Sequence, residues 1–237
     1  MKSTKNNLEI LFEDNHLIIV NKRIGDIVQG DKTGDIPLSE MVKQYIADTY
    51  KKPGNVYLGV VHRLDRPTSG VVIFAKTSKA LSRLNAMLKK RTIKKSYWAI
   101  VKNKPPGQKD TLTHYLLKNP KNNKSTSFTK PTEKAKKAIL HYTILNTLDN
   151  YFLLEIDLET GRHHQIRAQL AAINCPIKGD LKYGFPRSNK NGGIHLHARK
   201  VSFIHPVKKV DMEITAPVPD DVLWNEVLKL KPIPNKP

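Results

Sequence analysis

Three short stretches carry the side chains with most capacity for chemistry. Residues 59–76 read GVVHRLDRPTSGVVIFAK, an apolar run entering a charged loop and a second apolar run leaving it. Asp65 stands there between Arg63 and Arg66, with Pro67 and Gly70 as backbone punctuation. Its carboxylate is expected to be ionised and held in a defined turn, and a carboxylate so held can act as a nucleophile. Taken alone, Asp65-Arg66-Pro67 also describes an ordinary turn aspartate paired with a neighbouring arginine. The second stretch, KKSYWAIV, offers Tyr97, with a flat face for stacking and a hydroxyl for polar contact, although a strand tyrosine is as often plain core. In the third, LETGRHHQIRAQLAAINC, His164 and Arg167 are three residues apart and share a face if the segment is helical. Ile166 lies beside them. Arg162, His163 and Gln165 suit substrate contact or a helix start better than chemistry, and His62 is ambiguous in the same way. No H-x-x-x-H spacing with a carboxylate and no nucleophile elbow accompanies these residues, so no metal site is expected.

The elements that must position these groups follow from periodicity and punctuation. Two apolar runs flanking Glu13-Asp14-Asn15-His16 predict a β-hairpin over 9–22. A helix is expected from 38 to about 50, a strand over 71–75, and a helix over 78–91 with Leu81, Leu84, Met87 and Leu88 on its apolar face. Strand patterns follow at 96–101, 112–117, 138–148 and 151–158, then a helix over 163–174, strands over 196–203 and 210–215, and a last helix over 220–230. Residues 118–137 are rich in lysine and poor in large apolar side chains, which predicts an exposed basic excursion from the core. Residues 1–7 and 231–237 read as tails around one domain over 8–230.

The 237 residues include 41 Lys and Arg against 21 Asp and Glu, a formal charge of +20. That bias exceeds what solubility needs and favours a polyanionic partner, nucleic acid first. No long amphipathic basic helix argues for a membrane surface. The single cysteine, Cys175, excludes an internal disulfide and fits a cytoplasmic setting. Charges interrupt every apolar run of the first 22 residues, against a signal peptide.

The string HRLDRPTSG resembles the catalytic motif of the RluA-type RNA pseudouridine synthases, which convert uridine in RNA to its carbon-linked isomer. LEILFEDNHLIIVNK is similar to that family's opening hairpin, KKSYWAIV to its second motif, and LETGRHHQIRAQLAAINCPIKGDLKYG to its third motif and the segment after it. The likeness spans about residues 8–230, with departures at Arg23, where proline is common, and at His163, where threonine is. It implies a mixed α/β (α+β) fold on a largely antiparallel sheet with a basic cleft. It also implies Asp65 as nucleophile, Tyr97 against the target base and Arg167 as the cation paired with Asp65. His62, Arg63, Arg66, Arg162, His164, Gln165 and Ile166 are then expected to contact substrate. The implied reaction is an isomerisation that needs no cofactor, on rRNA or tRNA, by a monomer formed of the catalytic domain without the family's small N-terminal RNA-binding module. The competing expectation is a non-catalytic RNA-binding or assembly protein with the same fold.

Overall fold

A computed structural model describes residues 2–31 and 33–230, so the expected tail at 231–237 lies outside the described residues. The described residues fall into two compact units, one within 2–95 with 198–218 and the other within 96–197 with 219–230.

The first unit has strands β1 (Ile10–Glu13), β2 (Leu17–Lys22), β3 (Gly59–Val60) and β4 (Ser69–Ala75), with helices α1 (Leu38–Thr49) and α2 (Ser78–Lys89). β2 lies between β1 and β4, antiparallel to both, in a register that sets Leu17 opposite Ala75 and Lys22 opposite Gly70. Both β2 and β4 are buried along their whole length, which is why their sequences are continuous apolar runs and do not alternate. Successive side chains point to opposite faces. Leu17, Ile19, Val71 and Ile73 share a cluster with Ala80 and Leu84 of α2, while Ile18, Val20, Val72 and Phe74 pack with Leu38, Met41, Val42 and Ile46 of α1. Residues 2–7, read as a tail, are held at several points: the Ser3 amide donates to Asp26, and Lys2 and Lys5 pair with Asp35 and Asp48.

The second unit contains β5 (Lys94–Val101, from Ser96 on), β6 (Lys109–Asn119), β7 (Lys124–Phe128), β8 (Lys136–Leu148) and β9 (Tyr151–Leu158). Their order is β5-β9-β8-β6-β7, every neighbour antiparallel. Helix α3 (Gln165–Ala172) and a 3-10 turn (Leu181–Tyr183) pack Ala168 and Tyr183 against Leu116 and Ala138 of this sheet. The lysine-rich stretch 118–137 is largely exposed, as expected, but it is not one loop: the end of β6, all of β7 and the start of β8 lie in it, with turns at 120–123 and 129–135 between them. Two last strands, β10 (Leu196–Ile204) and β11 (Asp211–Thr215), pair antiparallel within the first unit from Lys200 on, and helix α4 (Val222–Lys229) closes the described chain. The architecture is the mixed, largely antiparallel α+β fold that was expected. Among the described residues no helix is long and apolar enough to cross a membrane.

Candidate active site

Asp65 sits half-buried in the loop between β3 and β4, and the loop is tied on both sides of it. The Thr68 amide donates to the Asp65 carbonyl at 3.0 Å, closing a tight turn. The next carbonyl, of Arg66, accepts from the Gly25 amide at 2.9 Å and from Lys22 Nζ at 3.2 Å, and Lys22 Nζ also donates to the Arg23 carbonyl at 2.9 Å. Lys22 is fully buried, a rare place for a lysine. Burial pushes its pKa down to about 7, opposed by the charges of Asp26 and Asp65 and assisted by that of Arg66. On the far side of the turn Gly70 has φ +115°, and a Cβ there would meet the Ala198 carbonyl oxygen at 2.3 Å. Only glycine lets β4 start so close to that backbone.

The other residues of this loop differ from one another. Arg63 is exposed. Arg66 is engaged by its own chain: Nη1 reaches Asp35, Nη2 donates to Thr33 Oγ1 at 2.7 Å, and Asp31 lies at 3.6 Å. His62, expected at the substrate, turns inward to accept the Ile73 amide at 3.3 Å. Burial and then the Lys95 ammonium push its pKa down to about 3, so it is a neutral structural acceptor at ordinary pH.

In the second unit, Tyr97 is buried on β5, and Arg167 and Ile166 are buried on α3. His164 is the residue before α3 and has φ 52°, so the helical-face argument for His164 and Arg167 does not hold as stated. They converge by another route, the ring of Tyr183. His164 Nδ1 lies 3.0 Å from the Tyr183 hydroxyl, and the Arg167 guanidinium lies 5.1 Å from the ring centre. The carboxylate that grips Arg167 within this unit is Asp180: Nε donates to Oδ2 at 2.7 Å and Nη2 to Oδ1 at 2.8 Å. Gln165, expected at the substrate, is committed internally. Its Oε1 accepts from Thr160 Oγ1 at 2.8 Å and the Arg162 amide at 3.0 Å, and its Nε2 donates to the Ile139 carbonyl at 3.0 Å. Arg162 is exposed.

Sequence reasoning did not single out Lys22, Asp180 or Tyr183. All three stand inside the quoted strings, Lys22 closing the opening hairpin and the other two in KGDLKYG, so the available signal was the string and not the residue type. Among the described residues no three of His, Cys, Asp and Glu are grouped to hold a metal ion.

A family model described as RNA pseudouridylate synthase matches residues 16–172. Over 227 residues the chain is 36% identical to ribosomal large subunit pseudouridine synthase C of Buchnera aphidicola, covering 93% of this chain and 69% of that protein. It is 32% identical over 225 residues to ribosomal large subunit pseudouridine synthase D of Zymomonas mobilis, covering 91% and 70%. The solved structure of human RNA pseudouridylate synthase domain containing 4 matches with a TM-score of 0.77 at 22% identity, over 96% of this chain and 95% of that one, a likeness of fold. The chain belongs to the RNA pseudouridylate synthase family. It is accordingly an isomerase acting on RNA, which sets aside the non-catalytic alternative.

Proposed function

We propose that the protein isomerises specific uridines of large-subunit ribosomal RNA with Asp65 as nucleophile, Tyr97 against the target base and Arg167 as the cation that orients the Asp65 carboxylate. The observation that carries this reading is Asp65 itself, in the string HRLDRPTSG, on a turn whose following carbonyl is held by both Gly25 and Lys22. A nucleophile fixed in this way loses little freedom on reaching the reacting carbon. The ribosomal substrate is taken from the names of the relatives.

The target uridine must leave its stack for the reaction to occur. The bond from N1 to the ribose C1′ breaks, the uracil turns, C5 bonds to C1′, and the C5 hydrogen leaves as a proton while N1 gains one. Atoms and electrons balance without an external group, so beyond the Asp65 nucleophile the protein contributes positioning and charge. An arginine suits the orienting role because it stays charged and meets carboxylates with directed donors. Exposed Arg63 and Arg162, with the lysines of 118–137, are assigned to RNA phosphates, and His164 and Ile166 to the surroundings of the base. His62 and Gln165 are assigned to the scaffold for the hydrogen bonds given above.

The reading is tested by mapping pseudouridine across cellular RNA in cells with and without the gene, restored with wild type or Asp65→Asn. Sites in large-subunit ribosomal RNA that vanish and return only with wild type support it. Sites lost only from another RNA class overturn the substrate, and rescue by Asp65→Asn overturns the nucleophile.

A further inference from the structure

We infer that Asp180 is a positioning residue for turnover, holding the Arg167 guanidinium in one orientation, with Tyr183 as the floor beneath it. The inference rests on the proposed part of Arg167 in the reaction. Arg167 and Asp180 are 5% and 1% exposed, and they meet through two parallel hydrogen bonds of 2.7 and 2.8 Å. A buried ion pair is poor evidence of stabilisation, because well-packed apolar side chains of the same volume do as well or better. What the pair does supply is a permanently charged group whose direction is fixed.

The holder is itself rigid. The Asp180 amide donates to the Ile177 carbonyl at 3.0 Å, and the Asp180 carbonyl accepts the amides of Tyr183 at 3.1 Å and Phe185 at 3.0 Å. The Tyr183 hydroxyl accepts the Ser125 amide at 2.8 Å and lies 3.0 Å from His164 Nδ1. Lys124 Nζ stands 5.1 Å from the same ring, and Lys182 Nζ donates to the Asn122 and Asn123 carbonyls at 3.2 Å. His163, where this sequence departs from the family pattern, continues the network: Ser125 Oγ donates to its carbonyl at 2.7 Å and lies 2.9 Å from its Nδ1. The lysine-bearing turn between β6 and β7 is thereby tied to the residues that hold Arg167. A guanidinium has five N–H donors. The fork to Asp180 uses two of them along the Nε–Nη2 edge, which decides the edge presented to any further anion.

The test compares Asp180→Asn, which keeps shape but removes the charge, with Arg167→Met, using the full chain and an RNA substrate in single-turnover and steady-state assays. Asp180→Asn is expected to lower kcat about 10- to 100-fold with KM for RNA within about twofold. Because a negative charge beside the guanidinium is gone, the acid limb of its kcat profile is expected to move to lower pH, which a loss of stability alone would not cause. Arg167→Met is expected to be at least as slow, and Asp180→Asn to slow it little further. Wild-type kcat and profile in folded Asp180→Asn beside an inactive Arg167→Met would overturn the role of Asp180 alone. Full activity of Arg167→Met would instead overturn the role given to Arg167. Should Asp180→Asn fail to fold, hydrogen exchange at Arg167 Nε in the wild-type protein decides: a strongly protected Nε–H is expected, and exchange as fast as in an exposed arginine refutes the fixed fork.

Discussion

Replacing Gly70 by alanine tests how the nucleophile's turn is anchored. Two costs are expected to combine. The backbone at φ +115° is a conformation that residues with a Cβ rarely adopt, worth about 1–2 kcal/mol. The new Cβ would lie 2.3, 2.6 and 2.8 Å from the carbonyl oxygen, nitrogen and carbonyl carbon of Ala198, backbone atoms that cannot rotate aside, so strands must shift at about 2–3 kcal/mol. Together these predict a loss of about 3–5 kcal/mol, a large part of the roughly 5–15 kcal/mol typical of a folded protein. Two other glycines separate the costs. Gly184 has φ +98° and nothing within 4 Å of a Cβ, so Gly184→Ala should lose only the backbone cost of about 1–2 kcal/mol. Gly30 has neither constraint, and Gly30→Ala should stay within about 0.5 kcal/mol of wild type. Urea unfolding followed by circular dichroism, with the slope checked for constancy across the series, gives the three values. Equal losses in Gly70→Ala and Gly184→Ala would refute the steric argument, and a Gly70→Ala protein as stable as Gly30→Ala would refute both.

Asp14 caps the first hairpin, its Oδ1 accepting the His16 and Leu17 amides at 2.8 and 2.9 Å while Oδ2 faces Lys208 at 2.9 Å and buried His205 at 3.1 Å. Burial opposes its charge, yet Lys208, the two amides and His205 together pull its pKa from 3.8 down to about 2. A pKa lowered by folding gives stability that is whole above about pH 5 and is lost as pH falls through 2, so Asp14→Asn should cost about 2 kcal/mol at pH 7 and converge on wild type near pH 2 in acid unfolding. The His62 ring should show no titration between pH 5 and 8 by NMR, and an inflection near 6.5 would contradict its assignment as a buried acceptor. Replacing Lys118, Lys121 and Lys130 together by glutamine should weaken RNA binding and flatten the dependence of log affinity on log salt by about 2, if each lysine meets one phosphate of single-stranded RNA. An unchanged slope would place the RNA elsewhere.

Much of this fold was legible because it is local. Leu17–Val20 and Val71–Ala75 are uninterrupted apolar runs because α1 and α2 cover both faces of those strands, and their limits agree with the observed ones within a few residues. Within the exposed stretch 118–137 the strand β7 was not legible, because it has no second neighbour along the sheet and its sequence, KSTSF, is short and mostly polar. Polar residues and a lysine are at home on such an edge strand, so its composition imitates a loop. His62 and Gln165 were expected at the substrate from the resemblance, with a helix start as the other reading of Gln165; the amides they accept, of Ile73 and Arg162, lie 11 and 3 residues away along the chain, and the first of these pairings has no sequence signal. The Arg167–Asp180 fork joins residues 13 apart across a turn, and Tyr183 meets Ser125 across 58, separations no helical or strand period encodes. The part assigned to Asp65 came from a nine-residue string, since its immediate neighbours alone describe a common turn.

The central claim is that the Asp65 carboxylate forms pseudouridine. Its most direct test is tritium release from ribosomal RNA transcripts labelled at uracil C5, because that hydrogen leaves only when C5 becomes bonded to the ribose. The wild-type protein should release tritium to a plateau set by the number of target sites, while Asp65→Asn should release none and still bind the same RNA. Release by Asp65→Asn at a rate near that of wild type would contradict the account.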